Sequence, residues 1–347
     1  MKSTKKYAKI YKKQFNNNII QHKYVIFKRK CEMFEKKWTV FEGERAIFVK
    51  CPSHIDLADT LECGQAFRYE CVKREKNYVE YITVVSDVLI RVGQAERGEL
   101  LFFGITDEEF ESTVRPYFAL DTDYNEIIRD VSEHTDSEWL KSAATEADGI
   151  VILAQDPWEA LFSFIISQNN NIPRIRKIVR AISAEYGKNL ALLRGITKCP
   201  LQNADFAPSE EKCKSCGACY SFPRASDVVL RPEGLLPSHP GFRYKYLLNA
   251  AEKVASGECD LEAIAEAKSY EVTLNELKKI CGVGDKVASC TALFGFGNLE
   301  AFPIDVWMKR AIDTYFDGSL DPKTLGKYAG VAQQYIFHKI RNIDKNN

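Results

Sequence analysis

The stretch LNELKKICGVGDKVASCTALFGFGNLEAFPIDVWMKR, residues 274–310, decides the fold. It reads as a helix, a tight Gly-Val-Gly turn and a second helix. Gly282 and Gly284 let the backbone take positive φ and approach a ligand closely. The turn feeds a helix whose first N–H groups are unpaired and point outward. Such a terminus attracts an anion, and a DNA phosphate fits there without any side-chain code. Lys286 sits just inside that second helix. A positive helix end and apolar neighbours (Ile280, Val287) favour its neutral amine, the form able to attack carbon. Asp305 follows in PIDVW, where Pro303 stiffens the approach and Asp305 can N-cap the helix beginning at Val306. A carboxylate fixed in that way can stabilise positive charge that develops beside it.

Upstream of this stretch the pattern is also helical. In QDPWEALFSFIISQNNN, Asp156 is a good N-cap, Pro157 suits the first helical position and Glu159 completes a capping-box pattern. IPRIRKIVRAISAEYG continues as another helix. Earlier still, from about residue 39, the segments TVFEGERAIFVKC, AFRYECVK, YVEYITVV, DVLIRVG and LLFFGI are rich in Val, Ile, Phe and Tyr. Turn signals at Gly43, Ser86-Asp87 and Gly93 separate them. The expected fold class is α+β: a twisted antiparallel sheet of about five strands, then an all-α region. The expected boundaries are 1–38 for a basic N-terminal extension, 39–122 for the β domain and 123–345 for the helical domain. A Cys-rich insertion interrupts the last at 196–222.

The 347 residues are 45% hydrophobic and 28% charged, ordinary for a globular protein. No apolar run is long enough for a membrane span, and the basic opening lacks the apolar stretch of a secretory signal. A cytoplasmic, nucleoid-associated protein is expected. The net charge is zero, but residues 1–38 carry twelve Lys or Arg against two Glu, a net of +10 that leaves about −10 elsewhere. That leader is either a solvated extension or an arm adding non-specific phosphate attraction.

Four of the eleven cysteines fall together, at Cys199, Cys213, Cys216 and Cys219. Three thiols within seven residues and a fourth before them can close a structural Zn²⁺ site, or less readily a four-iron cluster. Unliganded thiols in a surface loop are the plain alternative. A site filled by four cysteines has no open position for catalysis.

LECGQAFRY, QDPWEALFSFIISQNNNIPRI, GFRYKY, GVGDKVASC, FPIDVWM and AGVAQQYIF occur in an order that resembles the 8-oxoguanine DNA glycosylase/lyases of the helix-hairpin-helix superfamily, most closely the bacterial branch. The resemblance covers roughly residues 39–340. It implies base excision from duplex DNA by base flipping, with Lys286 as nucleophile and Schiff-base former and Asp305 as assisting carboxylate. It implies that Gly64 offers its carbonyl to N7 of the base. Oxidised guanine carries N7–H there and guanine a bare acceptor, so one hydrogen discriminates them. Cys290 and Phe337 would sandwich the flipped ring and Gln333 would bond its Watson–Crick edge. Asn169, Arg174 and Arg243 would engage the cytosine left behind, with Phe242 as a wedge. Trp307 stands where animal relatives have His, which changes a phosphate contact, and Phe242 stands where Tyr is common. The implied enzyme needs no cofactor and works as a monomer on DNA, away from membranes. The rival readings are a monofunctional alkylated-base glycosylase, which would lack the lysine, and a non-catalytic damage sensor.

Overall fold

The computed structural model describes residues 34–51, 53–196, 201 and 209–345. The basic leader through Lys30, and Cys199 with its neighbours 197–200, lie outside the described residues. Six strands form one sheet: β1 (Glu35–Phe41), β2 (Glu44–Lys50), β3 (Tyr69–Glu75), β4 (Tyr78–Val85), β5 (Val88–Gln94) and β6 (Glu99–Phe103). Their order is β1-β2-β6-β5-β4-β3, and every pair is antiparallel.

The first strand begins four residues earlier than its sequence pattern suggests, inside the expected basic extension. Lys36 and Lys37 belong to β1, and Lys36 pairs with Asp107 and Glu111 at 3.2 and 2.6 Å. Glu42 and Gly43, both at positive φ, form the two-residue turn between β1 and β2. Ser86-Asp87 turns β4 into β5 as expected. Gly93 is not a turn. It lies within β5, where a Cβ would fall 2.1 Å from the Tyr78 hydroxyl, so glycine makes room for that ring.

One face of the sheet, with Ile47, Val49, Tyr81, Ile90, Val92, Leu100 and Phe102, joins the main core. Phe110 and Phe118 close on Phe102 at 5.7 and 5.5 Å between ring centres.

The longer α-helices are α1 (Leu57–Glu62), α2 (Tyr124–Glu133), α3 (Glu138–Glu146), α4 (Pro157–Ile166), α5 (Ile172–Tyr186), α6 (Glu210–Cys216), α7 (Ala225–Leu230), α8 (Tyr244–Ser256), α9 (Leu261–Ala267), α10 (Tyr270–Leu277), α11 (Asp285–Phe296), α12 (Val306–Tyr315) and α13 (Ala329–Lys345). Among the described residues no helix is long and apolar enough to cross a membrane. Helix α4 starts where the sequence places it, with Asp156 accepting from the Glu159 N–H at 2.9 Å. The expected capping box is only half formed, because the Glu159 carboxylate is taken by Arg68 at 2.7 Å. Burial nevertheless raises the Glu159 carboxyl above its usual range, against the pull of Arg68.

The Cys-bearing segment packs on the other face of the sheet. Cys219 and Ala218 join Ile82, Val84 and Leu89 in a small apolar cluster. Gly217 presses against α5, where a Cβ would meet the Arg180 carbonyl at 2.8 Å. Among the described residues no group of three His, Cys, Asp or Glu side chains is placed to hold a metal ion.

Candidate active site

Helix α10, the turn and α11 form the hairpin read from the sequence. Gly282 has φ +81°, and a Cβ on it would lie 2.4 Å from the Tyr246 ring, so both conformation and space exclude a side chain. Gly284, at φ −99° and not the positive φ expected of it, caps α11 without any side-chain hydrogen bond. The first-turn N–H groups are thereby available to an outside acceptor, and the helix dipole favours an anion there. Asp285 in the same turn is paired with Lys278 at 2.8 Å.

Helix α11 is seated on α4 at very short range. A Cβ on Gly295 would lie 3.0 Å from both the Ala160 Cβ and the Pro157 Cα. Phe164 and Phe294 stack at 5.4 Å between ring centres. This packing aims Lys286 along the end of α4. Its Nζ lies 5.3 Å from the Phe164 ring centre and donates to Ser167 Oγ at 2.8 Å. Ser167 itself donates to the Phe164 carbonyl at 2.7 Å, which leaves its oxygen lone pairs to accept from the lysine.

Asp305 N-caps α12 as expected, accepting from the N–H groups of Trp307 and Met308 at 3.0 and 2.9 Å. Lys286 and Asp305 line one cavity of about 530 Å³, together with Gly64, Cys290, Gln333, Phe337 and Trp307. That volume suits a single small ligand. The cavity thus brings together both expected catalytic groups and all four expected base-contact residues. Burial pushes the Cys290 thiol up to about 11, while the Lys286 charge beside it pulls the other way. Cys290 therefore meets the cavity as a neutral, polarisable thiol.

Gly64 has φ +96°, and a Cβ there would strike Ile172 Cδ1 at 2.9 Å. Its position is fixed by its neighbour. The fully buried Gln65 donates to the carbonyls of Thr60 and Val151 at 2.9 and 2.8 Å and accepts from the Leu153 N–H at 2.8 Å. The Gln65 carbonyl accepts from Gln155 Nε2 at 2.7 Å, and the Gln155 N–H donates to the Phe294 carbonyl at 2.9 Å. A polar chain so satisfied is rigid, and this one ties the Gly64 turn to the end of α11. From the other side, Arg341 donates to the Cys63 carbonyl at 3.3 Å and stands 5.2 Å from the Phe337 ring centre.

The expected DNA-facing residues fall into two kinds. Asn169, Arg174 and Phe242 are exposed, Phe242 by 52%. Asn169 takes φ +46° in the turn between α4 and α5, and Asn171 caps α5 through the Arg174 N–H at 3.0 Å. Arg243 is different. It is 3% exposed, and its guanidinium donates to the carbonyls of Gln168, Asn169 and Pro240. Burial, helped by Arg174, lowers its pKa. Here it is turned into the protein and holds the Asn-bearing turn from beneath, rather than reaching outward.

The sequence alone does not single out Ser167, Gln65 or Arg341. Ser167 stands two residues before the asparagines, and Arg341 lies four residues after Phe337 on one helix face.

Comparison with known proteins agrees with this geometry. Residues 47–161 match the 8-oxoguanine DNA glycosylase N-terminal domain family. The chain is 31% identical to the apo crystal structure of an 8-oxoguanine glycosylase/lyase from Clostridium acetobutylicum, with a TM-score of 0.71 over 88% of this chain and 98% of that one. The same enzyme bound to double-stranded DNA with cytosine opposite 8-oxoG gives a TM-score of 0.72 at 31% identity, over 90% and 99%. An N-glycosylase/DNA lyase of Saccharomyces cerevisiae is 29% identical over 74% of this chain and 67% of its own length. With its hairpin, its lysine and its aspartate gathered on one cavity, the chain belongs to the 8-oxoguanine DNA glycosylase/lyases of the helix-hairpin-helix superfamily.

Proposed function

We infer that this protein excises 8-oxoguanine from duplex DNA and then cleaves the strand, acting as a bifunctional glycosylase and lyase. The observation that carries the reading is the shared cavity of Lys286 and Asp305, walled by Gly64, Cys290, Gln333 and Phe337. The site residues are proposed to act as follows. The extruded base enters between Cys290 and Phe337, with N7–H toward the Gly64 carbonyl and its Watson–Crick edge toward Gln333. The Lys286 amine forms a bond to C1′ as the C1′–N9 bond breaks, the electron pair leaving with the base. Positive charge on the sugar builds up beside the Asp305 carboxylate. The departing base takes a proton from solvent, and the C1′–O4′ bond then breaks as the lysine nitrogen forms C=N and passes a proton to O4′, which gives a Schiff base. Loss of a C2′ proton then expels the 3′ phosphate, and water releases the lysine.

Cytosine is proposed as the opposite base and a monomer as the working form. A structural metal held by Cys199, Cys213, Cys216 and Cys219 would have no part in these steps. Metal content and visible absorbance of the purified protein distinguish zinc, an iron–sulfur cluster and neither.

The decisive experiment uses Lys286→Gln. Wild-type protein should yield a covalent DNA adduct on borohydride reduction. The variant should still bind the duplex yet form no adduct and release no base. Base release by Lys286→Gln would overturn the lysine mechanism. A rival alkylated-base activity predicts release of methylated adenine and no adduct from wild-type protein.

A further inference from the structure

One polar side chain on the cavity wall has no part in the roles above. Gln334 is 4% exposed, lines the cavity and follows Gln333 directly in α13. Consecutive helix residues project about 100° apart, so their side chains do not ordinarily meet. These two do: Gln334 Nε2 donates to Gln333 Oε1 at 2.8 Å. Gln334 Oε1 is itself buried without a hydrogen-bond partner. An amide oxygen stripped of water and left unpaired is unfavourable, and a buried orphan in a native site calls for a ligand.

The two facts have one chemical meaning. A glutamine amide has a donor end and an acceptor end, and its terminal torsion is broad. An unpinned Gln333 would offer either end to a purine edge. Held through Oε1, it can present only one arrangement, while the second lone pair of that oxygen stays free. The orphan oxygen of Gln334 adds a further acceptor in the same wall. A guanine-type Watson–Crick edge carries one acceptor, O6, and two donors, N1–H and the 2-amino group. Its excess of donors matches a wall supplying extra acceptors.

We propose that Gln334 is a specificity-determining residue of the base pocket: it pins the Gln333 amide and supplies its own Oε1 to an N–H donor of the extruded purine. The proposal rests on the reading of this cavity as the 8-oxoguanine pocket. Its test compares single-turnover release of 8-oxoguanine with that of 8-oxohypoxanthine, which lacks the 2-amino group but keeps N7–H. Cleavage at a preformed abasic site, which needs Lys286 but no base, is measured alongside.

Wild-type protein should prefer 8-oxoguanine. Gln334→Met, of similar size but without polar ends, should lose on the order of tenfold in 8-oxoguanine release. Its preference over 8-oxohypoxanthine should shrink toward unity, with a far smaller loss at the abasic site. Gln334→Glu keeps the acceptors but cannot donate to Gln333 once ionised, so it should lose at least as much. A Gln334→Met protein that retains the wild-type preference overturns the proposal. So does one that loses abasic-site cleavage in equal proportion, which would mark a purely structural role. Failure of the wild type itself to release either base would instead strike the pocket reading, and this proposal with it.

Discussion

Two walls of the same cavity are held in opposite ways. The wall made by α11 and α13 fixes side chains. Lys286 is aimed by Ser167, Gln333 is tied to Gln334, and Phe337 lies beside Arg341. The wall made by the turn between α4 and α5 fixes backbone instead. There the buried Arg243 grips the carbonyls of Gln168 and Asn169, while the Asn169 and Arg174 side chains stand exposed. Chemistry at a sugar carbon depends on the placement of one amine, and small misplacements cost large factors in rate. Gripping a duplex depends on surface shape and on many weak contacts. On the proposed reading, the molecule fixes side chains where it reacts and backbone where it grips the duplex.

The largest test of this division is Asp305. Asp305→Asn keeps a good N-cap but removes the charge, and should slow base release on the order of 100-fold or more with little loss of stability. Asp305→Ala should slow it similarly and lower stability by about 1 kcal/mol as well. If single-turnover rates for the Asn variant match wild type, the carboxylate serves only α12.

Arg243 comes next. Arg243→Ala removes a buried guanidinium from three carbonyls, and should destabilise the fold by about 2 kcal/mol. Duplex affinity should fall while abasic-site chemistry per bound complex stays closer to wild type. Equal affinity for lesion-bearing DNA would show that the backbone grip is not needed.

Ser167→Ala should reduce both base release and adduct formation by about tenfold, the equivalent of one hydrogen bond of about 1.4 kcal/mol. Ser167→Thr, which keeps the hydroxyl, should recover most of it. The effect should appear in the rate at saturating DNA rather than in the half-saturating concentration.

The smallest effect concerns Cys290. Its thiol is held at about 11 against an ordinary 9.0, so the folded protein binds that proton more tightly than the unfolded chain does. The contribution is complete below pH 9 and is lost as pH rises through 11. Urea midpoints of Cys290→Ala should therefore fall less steeply over that interval than those of wild type. The slope should persist in part, because Cys63 and Cys259 are pushed to about 11 by burial as well. Parallel curves would remove Cys290 from the buried wall.

Much of this arrangement was legible in the sequence because its signals are local. Gly282, Gly284 and Lys286 lie within five residues, and Asp305 caps its helix through its own neighbours. The α+β order and two of the hairpin turns were equally local. What could not be read was set by contacts between distant segments. Gly93 looks like a turn until the Tyr78 ring is seen to need its space. Glu159 looks like half of a capping box until Arg68, ninety-one positions earlier, takes its carboxylate. Nothing near Arg243 in the sequence shows that its guanidinium is held by the carbonyls of the Asn-bearing turn. Ser167 carries no sequence signal of its own, and only the packing of α11 on α4 shows that it meets a lysine 119 positions away.

The Gly64 turn carries a consequence of its own. On the proposed reading, the group that tells an oxidised purine from an intact one is a peptide carbonyl, and no codon change can delete a peptide carbonyl. Substitution can only shift it, by way of Gln65, Gln155 or Arg341. Loss of the discrimination between oxidised and intact purine should therefore arise from mutations in the turn or behind the pocket, and retargeting the protein to a purine without N7–H would require redesign of the scaffold that carries the turn.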